Sequence, residues 1–303
     1  MAARRELNQI ALRIGLIIMI LTVLLCSGFI YYTKLDSPVF LRYCMDVELP
    51  YPDQLPSNQP IFRLNYITNI TDQDSVTGIN FPEAPEVQFI ATENAYNAGG
   101  VYFSSQNQVL GSQYGRYSYR TIYAYHGVTE SENWTGEKVV HKAELQLSNG
   151  DTLTVDVGTI VFYRDQKNQD RYLESLSSST SSDGSSDLRY QVNPGIELIS
   201  VKSGLLDQLD QAGDNSYYRM EGYDYKGFPA QPYENDGVLD IAIQLGSADN
   251  MGNAYDYYDI RPKLYYRDVE GNVKYERIYC YPREKYFRDY KEMLCYLKGR
   301  GAF

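Results

Sequence analysis

Apolar positions along the chain fall into two patterns. Over residues 14–32 they are nearly continuous, whereas beyond Asp36 they alternate with polar positions in short stretches. Alternation with a period of two is the signature of half-buried strands. In 40–49, Leu41, Tyr43, Met45, Val47 and Leu49 share one face and Arg42, Cys44, Asp46 and Glu48 the other, which places Cys44 away from the core. Phe62, Leu64 and Tyr66 share a face in the next segment. Segments 76–81 and 87–91 read as further strands, parted by Pro82 and Pro85. Residues 99–115 read as loop around a short strand at 101–103. In 116–126 the pattern returns, with Tyr117, Tyr119, Tyr123 and Tyr125 on one face.

Two hairpins specify their own register. Ala143, Leu145 and Leu147 face one way, as do Leu153, Val155 and Val157 beyond Asn149-Gly150. A two-residue Asn-Gly loop would mix the faces. A three-residue loop, Ser148-Asn149-Gly150, pairs Leu145 with Leu153 and Ala143 with Val155, and puts Gly150 in the left-handed position that glycine tolerates. In the second hairpin, a four-residue loop at 268–271 pairs Leu264 with Tyr275 and Tyr266 with Val273, separating apolar from polar faces. Segments 196–201 and 238–245 are expected as strands.

Helices are few. The residues 165–176 and 203–211 are expected as short helices, the latter capped by Ser203. A longer one is expected at 284–298, where Tyr286, Tyr290, Met293 and Leu297 follow helical spacing and Phe287 and Leu294 widen the stripe. That stripe packs either on the protein's own sheet or on a partner, so Phe287, Tyr290 and Leu294 are partner-surface candidates. Lys285, Arg288, Lys291, Lys298 and Arg300 make this end basic.

Together these elements predict a mainly β fold: an antiparallel β-sandwich, as one large or two tandem sandwiches, with an N-terminal transmembrane helix and a C-terminal helix. The expected organisation is a cytoplasmic N-terminus (1–13), a transmembrane helix (14–32), a β-rich half (36–174), a Ser-rich flexible loop or linker (175–187) and a second β-rich half ending in the helix (188–303).

Charge orients the anchor. Arg4, Arg5 and Arg13 precede the apolar run, and Asp36, Asp46, Glu48 and Asp53 follow it. The positive-inside rule then places the N-terminus in the cytoplasm and the rest of the chain outside, with Tyr31 and Tyr32 at the interface. A signal peptide cleaved near Cys26-Ser27-Gly28 fits less well, because the run continues to Tyr32. Acylation of Cys26 as a lipoprotein would want a small residue before it, where Leu25 stands. The whole chain carries a net charge of −11 and residues 1–33 carry +2, leaving −13 beyond the anchor. Such a surface excludes nucleic acid as a partner.

Candidate chemistry is sparse. Of four cysteines, Cys26 lies in the anchor; Cys44, Cys280 and Cys295 follow, and Cys280 and Cys295 form a possible disulfide. The two histidines, His126 and His141, sit at a strand end and in a strand. No nucleophile elbow, phosphate loop or zinc spacing is present. Asp72-Gln73-Asp74, Asp214-Asn215 and 256–259 offer oxygen ligands without the spacing of a calcium loop, so no metal or cofactor is assigned. Asn69-Ile70-Thr71 and Asn133-Trp134-Thr135 match the glycosylation triplet. Tyrosine is the unusual feature, 31 in 303 residues. Tyr suits binding surfaces and can stack on sugar rings. Trp134, Tyr255, Tyr257 and Tyr258, all in polar stretches, are therefore the ligand-binding candidates. The expected function is a membrane-anchored extracytoplasmic binding or scaffolding protein, without catalysis, that contacts another envelope protein or an extracellular ligand; the expected partners are an envelope or surface protein, or carbohydrate. The alternative is an envelope enzyme acting on polysaccharide through paired carboxylates.

Overall fold

The computed structural model describes residues 2–51, 59–93, 111–127, 135–165, 172–181, 185–209, 216–233, 237–244, 253–279 and 282–303. The protein is mainly β, with several antiparallel sheets, one long N-terminal helix and one C-terminal helix.

Helix α1 (Ala2–Tyr32) contains an apolar span, Ala11–Tyr32, of 22 residues and mean hydropathy 2.5, no part of it buried. At about 1.5 Å per residue this is roughly 33 Å, enough to cross a bilayer's hydrocarbon. The end of α1 is fastened to the β-rich domain. The last helical carbonyls lack intrahelical donors, and Arg116 donates to the Ile30 carbonyl and to Thr33 Oγ1 (2.8 Å). Tyr117 donates its hydroxyl to the Thr33 carbonyl (2.6 Å). Asn69 clamps Leu35 from both sides, accepting from its N–H (3.0 Å) and donating to its carbonyl (2.8 Å). A cation at a helix C-terminus also suits the helix dipole.

The first lobe comprises β1 (Val39–Phe40), β2 (Tyr43–Glu48), β3 (Phe62–Asn69), β4 (Val76–Asn80), β5 (Phe89–Thr92), β6 (Ser112–Tyr114), β7 (Tyr117–His126), β8 (Gly136–Leu147) and β9 (Thr152–Arg164). Their order is β1-β3-β7-β5-β4-β8-β9-β2, with β6 on β7. β1 and β2 are one run of chain, so the sheet curls until its two ends meet on residues 39–48. Phe62, Phe81, Phe89 and Phe162 interlock inside, at centroid separations of 4.9–6.1 Å. Counting that run once, seven strands close the circuit. An odd number cannot alternate in direction all the way round, so one pairing must be parallel. It is β2 with β9, Tyr43 opposite Gly158 through Glu48 opposite Tyr163. Alternating strands alone had predicted no parallel pairing.

The second lobe comprises β10 (Leu173–Thr180), β11 (Ser185–Val192), β12 (Ile196–Lys202), α2 (Leu206–Leu209), β13 (Tyr217–Met220), β14 (Tyr223–Asp224), β15 (Gln231–Tyr233) and β16 (Gly237–Gln244), then β17 (Tyr257–Asp259), β18 (Lys263–Arg267) and β19 (Val273–Arg277). Sheets β10-β11-β16-β13-β14 and β15-β12-β18-β19 enclose a second core of Leu188, Leu198, Tyr218, Leu239, Ile241, Leu264 and Tyr266. Where a flexible Ser-rich loop was expected, β10 pairs with β11 from Leu173–Val192 to Thr180–Ser186. Part of the expected 165–176 helix is strand β10 as well. The backbone ladder holds this edge strand, whose side chains are almost all exposed. Helix 203–211 is reduced to the single turn α2, and residues 210–215 lie outside the described residues.

β17 joins the lobes by adding in parallel to β2, Tyr257 opposite Tyr43. β2 is therefore buried on both sides. Tyr43, Met45 and Val47 belong to the first core, whereas Cys44, 6% exposed, belongs to the second. The expectation that Cys44 faces away from a core is corrected: the polar face of that strand is covered by the other lobe. Asp46, on the same face, accepts from Arg261 N–H (2.7 Å) and lies 3.9 Å from Arg277. Arg277 also pairs with Asp165 and Glu137 (2.6 Å each) and lies over the Tyr163 ring at 3.6 Å.

The first hairpin has the expected register, Leu145 opposite Leu153 and Ala143 opposite Val155, with Gly150 at φ +93°. The second is shifted by one residue. Leu264 faces Glu276 and Tyr266 faces Lys274, not Tyr275 and Val273. Its loop repeats the first one: Asp268 N–H donates to the Asn272 carbonyl (3.0 Å), and Gly271 takes φ +87°. Asp268 decides the register, because its carboxylate accepts from the N–H groups of Glu270 (3.0 Å) and Asn272 (2.9 Å) and pairs with Lys274 (2.9 Å). Val273 is left 60% exposed in exchange.

The C-terminal helix α3 (Tyr290–Gly299) starts six residues later than its stripe predicted. Asp289 caps it by accepting from Glu292 N–H (2.9 Å), and Glu292 reaches back to Arg288 N–H (2.9 Å). Residues 284–289 precede it without helical structure.

Gly158 sits where β9 meets β2, at φ +86°, and an added Cβ would lie 2.3 Å from the Tyr43 carbonyl oxygen. Gly150 has the same sign of φ but open space around it. Gly150→Ala should cost about 1 kcal/mol of strain, and Gly158→Ala roughly 2–4 kcal/mol because overpacking adds to it. Urea denaturation of the two variants measures the difference; equal losses would show that Gly158 does not serve the close approach of these strands.

Candidate functional site

The tyrosines singled out by polarity do not form a patch. Because 257–259 is a strand, its side chains alternate between two cores. Tyr255 is 2% exposed in the first core, stacked on Phe287 at 3.9 Å and 21°. Tyr257 packs toward the same core with its ring 5.4 Å from Tyr43. Tyr258 enters the second core. Trp134 lies outside the described residues. The partner-surface candidates are also covered: Phe287 is in the first core, and Tyr290 and Leu294 pack against it, with the Tyr290 ring 5.8 Å from Tyr117. The apolar stripe thus serves the protein's own fold. It covers the first lobe although it follows the second in sequence. Cys295 is an exposed thiol, and Cys280 lies outside the described residues.

Other sequence candidates are absorbed by structure. Asn69 is 5% exposed and committed to the Leu35 clamp, which leaves no room for a glycan. Asn133 lies outside the described residues. Asp72 accepts from Thr68 Oγ1 and from Asn69 N–H (3.1 Å) as a turn former. His141 contacts the Gly158 carbonyl (3.1 Å) at the bulge of β9. No cluster of metal-ligating side chains occurs among the described residues.

A polar cavity of about 270 Å³ opens at the joint between the lobes. Its first wall is the start of β2, with Arg42, Tyr43 and Cys44. Its second is the bulge of β9, with Asp156, Gly158 and Thr159. Gln208 of α2 and the Asn253–Tyr258 segment close it. One sequence candidate, Tyr258, is thus in the wall. The bulge shapes the site: Asp156 accepts from Gly158 N–H (2.9 Å), and its other oxygen lies 3.9 Å from the Arg42 guanidinium. Gln208 donates to Thr159 Oγ1 (3.1 Å). The signal for this site was the Asp256-Tyr257-Tyr258-Asp259 run, read as exposed loop rather than as a strand between two cores.

Electrostatics mark Asp256. Burial pushes its carboxyl up to about 7, against the opposing pull of Arg300, Arg42 and Arg283. Its Oδ1 is buried and accepts no hydrogen bond among the described residues, a state that costs free energy unless a partner arrives. Burial, then Asp46 and Asp256, push the Cys44 thiol up to about 12, so it is a poor nucleophile at neutral pH.

A second cavity, about 340 Å³, opens beside the helix junction at Lys34–Pro38. In its wall Arg120, 2% exposed, donates to the carbonyls of Asp72 and Asp74 (2.7 Å for the latter) and lies 3.9 Å from Glu93. Glu93 accepts from Tyr66 and from Val76 N–H (2.6 Å each). This network ties the strand ends together, so the first cavity is the better candidate site.

Two outcomes follow. Phe287→Ala should destabilise by about 3–5 kcal/mol, as for other buried aromatics; an unchanged denaturation midpoint would mean that Phe287 is not core. For Asp256 the folded value lies above the unfolded one of about 4. Its contribution is therefore complete below that pH and is lost as pH rises through about 7. Asp256→Asn should raise the Tm at pH 8 and leave little difference at pH 4. A difference of the same size at both pH values would contradict a carboxyl whose burial outweighs the neighbouring guanidiniums.

No family model matches the chain, and no curated protein matches it. Among solved structures, the crystal structure of murine CEACAM1b aligns with 80% of this chain and 98% of its own at 10% identity. Its TM-score of 0.15 is too low to carry an inference about fold or function.

Proposed function

We propose that this chain is a single-pass membrane protein with a cytoplasmic N-terminus, whose β-rich domain outside the cytoplasm binds an extracellular ligand or a neighbouring surface protein without catalysis. The junction at Thr33–Leu35 carries this reading. A 22-residue apolar helix with no buried side chain needs lipid around it. The domain begins within three residues of its end, because Arg116, Tyr117 and Asn69 take up the backbone groups there. The three arginines before the span and the acidic domain after it support the orientation. The cavity at the lobe joint supports a binding role, since a concave site with convergent polar groups and a carboxyl shifted by burial is where a ligand is first sought. Asp156 and Asp256 share that cavity, which keeps a paired-carboxylate hydrolase as the second reading.

Protease added to intact cells should digest the C-terminal domain and spare an N-terminal epitope tag. Protection of the domain would overturn the orientation. Release of reducing sugar from surface polysaccharide by the purified chain would replace binding by hydrolysis.

A further inference from the structure

The cavity at the lobe joint differs from an ion site in one respect: its charges already have counterparts. Arg42 stands 3.9 Å from Asp156. Arg300, Arg42 and Arg283 pull against the burial of Asp256. An anion would have to take Arg42 from Asp156, and a cation would have to outbid three guanidiniums. Unmatched hydrogen-bonding capacity remains. Asp256 Oδ1 is a buried acceptor with no donor among the described residues. The same cavity is lined by planar or hydroxyl-bearing side chains from four segments: Arg42, Asp156, Thr159, Gln208 and Asn253. Each can give or accept without changing the net charge of the site, and Tyr258 adds an aromatic ring to the same wall.

We infer that this cavity binds one ring of a neutral carbohydrate, with Asp256 accepting from a ring hydroxyl and Arg42, Asp156 and Asn253 completing a set of hydrogen bonds to its neighbours. A sugar offers adjacent hydroxyls that both donate and accept, carries no charge to be neutralised, and presents a C–H face suited to a tyrosine ring. The volume of about 270 Å³ suits a single ring, and the open mouth leaves a longer saccharide chain room to leave the site. Gly158 keeps the bulge of β9 against β2, which holds Asp156 beside Arg42. The inference rests on the binding reading above and names the ligand class of the same site.

The test uses the full chain in a detergent without a sugar headgroup. Methyl glycosides of glucose, galactose, mannose and N-acetylglucosamine are titrated by saturation-transfer NMR and calorimetry, with inorganic phosphate and glycine as charged and zwitterionic probes. At least one glycoside should bind. Asp256→Ala and Arg42→Ala should each weaken it about tenfold, the scale of one lost polar contact, while Asp256→Asn, which keeps an acceptor oxygen, should weaken it less. Arg42 is half exposed, so its variant remains informative where Asp256→Ala fails to fold, as judged by circular dichroism. Failure of every glycoside to bind would overturn the carbohydrate assignment, as would binding that ignores these variants. Phosphate or glycine binding that responds to them would overturn the ligand class while leaving the binding reading in place. Hydrolysis of a glycoside lost in Asp256→Ala would overturn the binding reading itself.

Discussion

Strand β2 is the element on which the rest of the protein depends, because it both closes the first sheet and lies between the two cores. Its odd-numbered side chains fill the curled sheet of the first lobe, and its even-numbered ones meet the second lobe. The run that contains it closes the first sheet, and the odd strand count then forces β2 and β9 to lie parallel. A parallel pair normally requires a long crossover. Here the whole first lobe serves as the crossover, and the other side of β2 is left free for β17. The joint between the lobes, and the cavity within it, follow from that pairing.

Besides the β2–β17 pairing and the apolar contacts of Cys44 and Val161, the two lobes meet through charge. Asp46, Glu137 and Asp165 from the first lobe face Arg261, Lys263 and Arg277 from the second. Removing one partner from such a network leaves a poorly solvated charge, so it specifies which surfaces meet even where its net stabilisation is modest. The acidic excess of the whole chain is therefore not all solvated surface, since some of those carboxylates hold the lobes together.

Local rules read well from the sequence where one force acted alone. In the first hairpin, burial and turn chemistry agree, and both the register and the left-handed Gly150 were legible. In the second they disagree. Apolar pairing favoured a four-residue loop, but the carboxylate of Asp268 and the freedom of Gly271 favour three, and turn chemistry wins on an edge strand where Val273 has little burial to gain. The same applies to α3, where the stripe pointed to residue 284 and the Asp289–Glu292 cap set the start at Tyr290. What the sequence could not reveal was non-local. A polar face reads the same whether water or another lobe covers it, so Cys44 and Asp46 looked exposed. For the same reason Tyr255 and Tyr258, flanked by Asp, looked like a surface patch. A Ser-rich strand with no face to bury likewise has no pattern that distinguishes it from a linker.

The junction at Thr33–Leu35 leaves no hinge between helix and domain. A receptor on a flexible stalk samples many attitudes above its membrane, but this domain inherits the attitude of its helix. If α1 spans a membrane as proposed above, its length of roughly 33 Å slightly exceeds a typical hydrocarbon thickness and would be accommodated by tilting. A thinner bilayer would lean the helix further, and the clamp of Asn69 on Leu35 would carry that lean into the strands. The direction in which the lobe joint faces would then be set partly by the thickness of the lipid beneath it.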